Sequence, residues 1–184
     1  AGTPGADINI RDAWNVTTGS NDVVIAVTDT GIDFSHPDLA GNIWINIQEI
    51  PGNSLDDDGN GYIDDYQGYD FIGMDANPDD AYGHGTLCAG IIGAIGNNGL
   101  GVTGVNWNTR IMPLKCLDAQ GIGTTADAIE AIDYAEQMGA DIISISWGCL
   151  EYDPVFYEVV SQSSALFICA AGNSARDIDI TPVY

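Results

Sequence analysis

The fold is decided by the stretch VVIAVTDTGID, which occupies residues 23–33. Its first five residues are apolar and mostly β-branched, a pattern typical of a strand that is buried on both faces. Two polar residues, Thr28 and Asp29, follow directly, and Gly31 then allows the chain to turn. Because open parallel sheets bind their ligands at the carboxyl ends of the strands, Asp29 is a candidate functional residue.

Three further segments have the apolar, β-branched character of strands: residues 110–117, 141–145 and 165–170. Pro113 lies within the first of them and suggests a bulge or a missing ladder hydrogen bond. Helices are predicted over residues 85–95, which are apolar all round and should be buried, and over residues 125–138, which end before Gly139. Strand, helix and strand in repeated order predict an α/β fold, with a mainly parallel sheet between layers of helices.

The composition limits the classes of function. The chain has 184 residues, enough for one domain, and 45% of them are hydrophobic and can supply a core. Four Lys and Arg residues stand against 27 Asp and Glu residues, a net charge of −23 that repels nucleic acid and anionic lipid. No stretch reaches the ~18 to 20 apolar residues of a membrane span. We therefore expect no nucleic-acid or membrane partner, and we expect bound Ca²⁺ to relieve the charge.

The four cysteines are candidates for redox or metal chemistry, and they stand at positions 88, 116, 149 and 169. They form no C-x-x-C pair, which argues against a zinc knuckle and against a thioredoxin-like site. All four lie in apolar or glycine-rich surroundings. This setting favours buried free thiols over a disulfide.

Residues 48–80 form an acidic insert in which Asp, Gly and Asn predominate. We expect a loop that carries hardly any hydrophobic core of its own. Within it, residues 56–61 fit the calcium-loop spacing D-x-[DN]-x-[DN]-G. The predicted Ca²⁺ ligands are Asp56, Asp58, Asn60, the carbonyl of Tyr62, and Asp65 or Asp64 as the closing carboxylate. The alternative is a solvated acidic loop that holds no metal.

Two other polar residues stand where predicted elements begin or end. His84 opens the first predicted helix, and Asn173 follows the last predicted strand. Together with Asp29 they supply an orienting carboxylate, a proton carrier and an oxyanion donor, which are parts of an acyl-transfer site. The nucleophile is missing from this set, because Ser146 belongs to a strand and Ser174 merely follows Asn173.

The motifs that hold these residues resemble those of the subtilisin-like serine peptidases. They occur in the order and context of that family: DTGID at 29–33, HPDL at 36–39, GHGT at 83–86, SWG at 146–148 and AAGN at 170–173. In the family the Asp holds the His, the His deprotonates a Ser, and the Asn donates to the tetrahedral oxyanion. The resemblance therefore assigns these roles to Asp29, His84 and Asn173.

The resemblance also implies that residues 1–184 are the N-terminal part of one peptidase domain. The nucleophilic Ser of the family lies well downstream of the Asn, so this chain alone is expected to be inactive, and a second chain is one possible source of the missing part. The implied substrate is a peptide or protein that lies as an extra strand between residues 144–148 and residues 121–123. The implied binding residues are Gly121, Ser144, Ser146, Trp147 and Gly148.

A second calcium site and export from the cell follow from the resemblance as well. The ligands would be the carboxylate of Asp38, the side chain of Asn98 and the carbonyls of Gly96, Leu100 and Val102, with a plain turn as the alternative. The expected function is thus a secreted, calcium-stabilised serine endopeptidase. Its rival is a non-catalytic calcium-binding or protein-interaction module that kept the fold and lost the nucleophile.

Overall fold

A computed structural model describes residues 7–149 and 151–180 together with Pro182 and Tyr184. Its strands are β1 (Gly19–Asp29), β2 (Tyr69–Asp70), β3 (Asn108–Lys115), β4 (Ile142–Ile145) and β5 (Leu166–Cys169). Its helices are α1 (Ile10–Trp14), α2 (His84–Gly93), α3 (Thr125–Gln137) and α4 (Pro154–Gln162). The strands form one sheet in the order β2-β3-β1-β4-β5, and every pair of neighbours is parallel.

Two hydrophobic clusters cover the two faces of this sheet. Successive residues of a strand point to opposite faces, so Ala26 of β1 belongs to one cluster and Val27 to the other. The cluster around Ala26 contains residues of α3, such as Ile132, and the cluster around Val27 contains Ala89 of α2. The sheet therefore lies between helices, and the predicted three-layer α/β fold is confirmed. In the described part of the chain, no helix is long and apolar enough to cross a membrane.

Helix α3 begins where the sequence predicts. The hydroxyl of Thr124 accepts a hydrogen bond from the N–H of Asp127 at 3.2 Å, and the carboxylate of Asp127 accepts one from the N–H of Thr124 at 2.9 Å. This reciprocal pair is a capping box, and it satisfies donors that the first turn of a helix leaves free. The helix ends at Gln137, one residue earlier than predicted. Its buried face consists of Ala128, Ala131, Ile132, Tyr134 and Ala135.

Helix α2 differs from the prediction that all of its faces are buried. Its buried residues are Gly85, Ala89 and Gly93, whereas Leu87 is 71% exposed and Ile91 is 69% exposed. The small residues face the sheet because they let the helix backbone approach it closely. A Cβ atom added to Gly93 would lie only 2.7 Å from the side chain of Thr109 on β3. The large apolar side chains therefore point away from the sheet.

The acidic insert at residues 48–80 contains a strand, so the prediction that it is only a loop is wrong. Tyr69 and Asp70 form β2 and pair in register with the end of β3. The rings of Tyr62, Tyr69, Phe71 and Tyr134 pack edge to face, with centroids 4.8 to 5.9 Å apart. The aromatic residues of the insert thus join the main core, although acidic residues surround them in the sequence.

The bulge suggested at Pro113 is also absent from the described strands. Pro113 pairs with Val27 within an unbroken register from Val24 to Asp29 of β1. The register shifts instead between Gly19 and Val24. The lost N–H of the proline is tolerated without an extra residue in the strand.

Two glycine substitutions on α2 test the close approach of this helix. A Cβ atom at Gly85 would lie 2.1 Å from the backbone oxygen of Gly31, whereas a Cβ atom at Gly90 would meet nothing within 4 Å. We expect Gly85→Ala to lower the free energy of unfolding by about 1–3 kcal/mol. Gly90→Ala should raise it by about 0.5–1 kcal/mol, because alanine is the better helix former. Urea unfolding of the two variants makes the comparison, and equal shifts of the two midpoints would contradict it.

Candidate active site

Asp29 and His84 meet at the carboxyl end of the sheet. Asp29 is the last residue of β1 and is buried, and His84 is the first residue of α2. The Nδ1 atom of His84 lies 2.7 Å and 3.0 Å from the two carboxylate oxygens of Asp29. Since an ionised carboxylate can only accept, Nδ1 carries a proton, and Nε2 of the neutral ring is left as a proton acceptor.

The backbone around Asp29 holds its carboxylate in place. The N–H of Thr30 donates to Oδ1 of Asp29 at 2.7 Å, in a fully buried contact. The carbonyl of Asp29 accepts hydrogen bonds from the N–H groups of Cys116 and Leu117, at 3.0 and 3.1 Å. The imidazole of His84 is 42% exposed on its side chain, so the pair joins a buried anion to a ring that solvent or substrate can reach.

Cys88 lies one helical turn after His84. Its sulfur is 3.9 Å from Nδ1 of His84, and burial raises the pKa of this thiol. All four cysteines are free thiols. Only Cys116 is buried, however, and the expectation of four buried thiols is wrong for Cys149 and Cys169, which are exposed. Cys169 is exposed because it lies on β5, one of the two edge strands of the described sheet.

Of the two segments predicted to flank a substrate, all of 121–123 and the last two residues of 144–148 line one pocket of about 390 Å³. Three of the five predicted residues, Gly121, Trp147 and Gly148, belong to its lining. The other two, Ser144 and Ser146, do not line it. Ser144 lies within β4, where its carbonyl accepts from the hydroxyl of Thr28 at 3.1 Å, and Ser146 directly follows that strand. Sequence reasoning did not anticipate the aromatic wall of the pocket, which is Tyr152, Phe156 and Tyr157.

The missed wall belongs to α4 and the turn before it. The carboxylate of Asp153 accepts from the N–H groups of Val155 and Phe156, at 2.8 and 3.2 Å, and Pro154 is the first helical residue. An Asp followed by Pro is a helix start signal. This signal, together with the apolar residues that follow it, could have predicted the helix.

Asn173 lies apart from the other two predicted catalytic residues. It follows β5 in an exposed segment, and β4 lies between β5 and β1 in the sheet. Because β1, β4 and β5 run parallel, it lies at the same carboxyl end of the sheet as Asp29. Within the described residues, Asn173 makes no side-chain hydrogen bond to Asp29 or His84.

Three carboxylates of the acidic insert converge, and we call Glu49, Asp58 and Asp65 the acidic cluster. Their oxygens lie within 4.8 Å of one another. Glu49 is only 4% exposed, and its Oε2 atom is buried without a hydrogen-bond partner. Its other oxygen, Oε1, accepts from the N–H groups of Asp57 and Asp58 at 2.8 and 3.2 Å. Such an orphaned buried oxygen beside two further carboxylates suits a hard cation.

This geometry changes the ligand set predicted from the sequence. Asp58 and Asp65 belong to the cluster, and the amide of Asn60 lies 2.9 Å from Oδ2 of Asp65. Asp56 is outside the cluster, because its carboxylate caps the turn by accepting from the backbone of residues 59–61 at 2.7 to 3.1 Å. The N–H of Gly61 contributes most to holding the pKa of Asp56 below its usual range. Glu49 belongs to the cluster but not to the predicted ligand set, because it precedes the recognised spacing.

The predicted second calcium site is closed by hydrogen bonds. The amide nitrogen of Asn98 donates to Oδ1 of Asp38 at 2.7 Å, and the N–H of Val102 donates to Oδ2 at 2.8 Å. These bonds hold the pKa of Asp38 below its usual range. The oxygen of Asn98 accepts from the N–H of Leu100 at 3.0 Å. Both oxygens of the one carboxylate in this site therefore have hydrogen-bond partners already. The second calcium site, for which Gly96 of the same loop is also a predicted ligand, stays a prediction.

The motifs and this geometry agree with comparisons to known proteins. Residues 20–183 match the Subtilase family. Subtilisin-like protease 1 of Plasmodium berghei is 38% identical over 88% of this chain and 28% of its own length. Thermophilic serine proteinase of Bacillus sp. strain AK1 is 36% identical over 92% of this chain and 38% of its own length. Thermitase of Thermoactinomyces vulgaris is 31% identical over 96% of this chain and 56% of its own length. The chain thus spans about a quarter to somewhat over half of these relatives.

The exposure and pKa of the thiols predict an order of alkylation. Cys149 is exposed and should react with iodoacetamide first. Cys88 should react more slowly at pH 7.5, because burial raises its pKa and less of it is thiolate, and it should speed up as the pH rises towards 9. Buried Cys116, whose pKa burial also raises, should react last. Mass spectrometry of timed digests measures the order, and labelling of Cys88 as fast as Cys149 would contradict it.

Proposed function

Because the chain belongs to the Subtilase family, we propose that the protein is a serine endopeptidase that hydrolyses peptide bonds. The observation that carries the proposal is the 2.7 Å contact between Nδ1 of His84 and the buried carboxylate of Asp29. This contact fixes the ring and leaves Nε2 free to take a proton from a nucleophile. The nucleophile that we propose is a serine outside residues 1–184, as the family resemblance implies.

The chemistry follows from the roles of these groups. Nε2 of His84 removes the hydroxyl proton of the serine as its oxygen attacks the carbonyl carbon of the substrate. Asp29 stabilises the imidazolium that forms, because it is a buried anion in direct contact with the ring. The imidazolium then gives the proton to the leaving amine, which yields an acyl-enzyme and a free amino group. Attack of water on the acyl group, by the same proton route, regenerates the serine.

We propose that Asn173 donates to the negative oxygen of the tetrahedral intermediate. Its position at the carboxyl edge of the parallel sheet, the edge where Asp29 lies, supports this role. An amide N–H₂ aimed at a developing oxyanion lowers the barrier of acyl transfer by about 3–4 kcal/mol.

The pocket between residues 121–123 and residues 147–149 supports a peptide substrate. A peptide laid along these segments as an added strand forms main-chain hydrogen bonds, which tolerate many sequences. The aromatic wall, together with the ring of Trp147, would receive one apolar side chain of the substrate. The indole N–H of Trp147 donates to the carbonyl of Thr28 at 2.9 Å, and this bond fixes the ring.

The rest of the peptidase domain would come from the same polypeptide. The relatives are single proteins considerably longer than this chain, and the comparisons give no support to a second chain. Exposed apolar side chains such as Leu87 and Ile91 on α2, and Leu166 and Ile168 on β5, offer surfaces for it to cover. Secretion stays a prediction.

Substitution of the histidine tests the proposed activity in the full-length protein. His84→Ala should lower kcat/KM on a chromogenic peptide by about 10⁴-fold or more, because the proton carrier is lost. His36→Ala is the matched control, since Nδ1 of His36 only accepts from the N–H of Asp38 at 3.2 Å, and it should keep activity within about twofold. Residues 1–184 alone should show no turnover. If the wild-type full-length protein is also inactive, the rival interpretation as a non-catalytic calcium-binding or protein-interaction module is favoured.

We further propose that the acidic cluster holds Ca²⁺. Glu49, Asp58 and Asp65 would supply three carboxylate ligands, and the neighbouring amides of Asn46 and Asn60 could turn to present their oxygens. The support comes from the orphaned, buried Oε2 atom of Glu49 and from the net charge of −23. The ion would stabilise the insert and would take no part in the chemical step.

Calcium dependence of the melting temperature tests this site. At a hundredfold excess over Kd, an ion bound only by the folded state adds about 2.7 kcal/mol to stability. Ca²⁺ should therefore raise the Tm of the wild-type protein by several degrees, and chelation should reverse the rise. Glu49→Gln should abolish the difference, whereas Glu130→Gln, an exposed change on α3, should retain it. A Tm that ignores both Ca²⁺ and chelator would exclude the site.

A further inference from the structure

Asp80 fixes the turn that leads into α2. Its Oδ1 atom accepts from the N–H groups of Tyr82 and Gly83, at 3.0 and 2.7 Å. Its Oδ2 atom accepts from both the N–H and the hydroxyl of Thr86, at 2.9 and 2.7 Å. One carboxylate therefore holds the backbone on both sides of His84.

Two threonine hydroxyls connect this turn to the loop that follows β1. The hydroxyl of Thr30 donates to Oδ1 of Asp80 at 2.8 Å and accepts from the N–H of Gly85 at 3.0 Å. The hydroxyl of Thr86, while it donates to Asp80, accepts from the N–H of Asp33 at 2.9 Å. Each hydroxyl thus donates to the carboxylate of Asp80 and accepts from a backbone N–H: Thr30 from the turn into α2, and Thr86 from the loop after β1.

Thr30 has a third contact that brings this network to the reacting pair. Its own N–H donates to Oδ1 of Asp29 at 2.7 Å, and the same oxygen lies 2.7 Å from Nδ1 of His84. Thr30 therefore joins the carboxylates of Asp29 and Asp80. His84 lies between Gly83, which donates to Asp80, and Gly85, which donates to Thr30.

Only a carboxylate suits the position of Asp80. Five donors point at its two oxygens, and an ionised carboxylate offers acceptors alone. An asparagine would turn an N–H₂ group towards at least one of these donors and leave it unpaired. Burial raises the pKa of Asp80, but the hydrogen bonds from Gly83, Thr86 and Thr30 outweigh it, so the pKa is held below its usual range.

We propose that Asp80 is a positioning residue of the peptidase: through Thr30 and Thr86 it holds His84 in the orientation in which Nδ1 meets Asp29. The inference rests on the proposed function, since it concerns the same pair. Asp80 touches neither substrate nor the reacting atoms, and it acts by fixing the two ends of the contact between β1 and α2. Misplacement of a catalytic group by about 1 Å can cost ~10²-fold in rate, so the effect should fall on kcat.

Substitution of Thr30 cuts the link without any change of charge. Thr30→Val keeps the shape and loses the hydroxyl, and Thr30→Ser restores the hydroxyl. Thr109→Val is the matched control, because Thr109 is equally buried and its hydroxyl donates to the carbonyl of Val23 at 3.3 Å, away from the site. Asp80→Asn is the second variant, and it keeps the proposal testable if Thr30→Val does not fold.

Two readouts on the full-length protein separate positioning from general stability. The first is the Hδ1 proton of His84 in the downfield NMR spectrum, assigned by its loss in His84→Ala. The second is the division of the kinetic effect between kcat and KM on a chromogenic peptide. Thr30→Val and Asp80→Asn should broaden or abolish the Hδ1 signal and lower kcat by about ten- to a hundredfold, with KM within about twofold. Thr30→Ser and Thr109→Val should keep the signal and most of kcat.

Failure of this inference differs from failure of the proposed function. If Thr30→Val and Asp80→Asn match Thr109→Val in both the Hδ1 signal and kcat, Asp80 has no positioning role, although the protein is a peptidase. A rise in KM at unchanged kcat would also overturn the inference. If the wild-type protein lacks activity while the Hδ1 signal still responds to both variants, the peptidase function fails and the positioning of His84 by Asp80 stands.

Discussion

The arrangement of the site depends on a close approach between two backbones. The first turn of α2 lies so near the loop after β1 that a Cβ atom at Gly85 would come within 2.1 Å of the carbonyl oxygen of Gly31. Gly31 itself adopts a φ of +100°, and a Cβ there would meet the carbonyl of Pro78 at 2.4 Å. Since both contacts exclude a side chain, two glycines allow the imidazole of His84 to reach a carboxylate that is wholly inside the protein.

Helix α3 connects the acidic insert to the apolar pocket. Tyr134 of α3 is buried, and its hydroxyl donates to Asp65 of the acidic cluster at 2.5 Å. Burial and this carboxylate both raise the pKa of Tyr134, so it remains a neutral donor. The other end of α3, at Thr124 and Thr125, lines the apolar pocket. One helix of 13 residues, about 20 Å long, therefore extends from the acidic cluster to the pocket.

Sequence reasoning predicted the elements whose signals are local. The strand at residues 23–27 and the cap of α3 follow from runs of apolar residues and the polar residues that flank them. The pairing of Asp29 with His84 is instead implied by the resemblance to the subtilisin-like peptidases. It could not predict which faces of α2 are covered, because this depends on packing between distant segments. Glu49 could not be predicted for the same reason, since the folding of the insert brings it to Asp58 and Asp65 and no spacing motif includes it. The aromatic residues of the insert were undervalued because average composition hides a few large side chains among many aspartates.

The packing of Tyr62, Tyr69 and Phe71 against Tyr134 limits how the protein can be shortened. Long acidic segments with many glycines are usual choices for loop trimming, because removal of flexible chain lowers the entropy cost of folding. Here the excision of residues 48–80 would remove β2 from the edge of the sheet and three aromatic rings from the core. Tyr134 would lose the acceptor of its hydroxyl at the same time. The insert is thus an integral part of the domain, and a shorter version would need a new set of side chains to fill the space that it leaves.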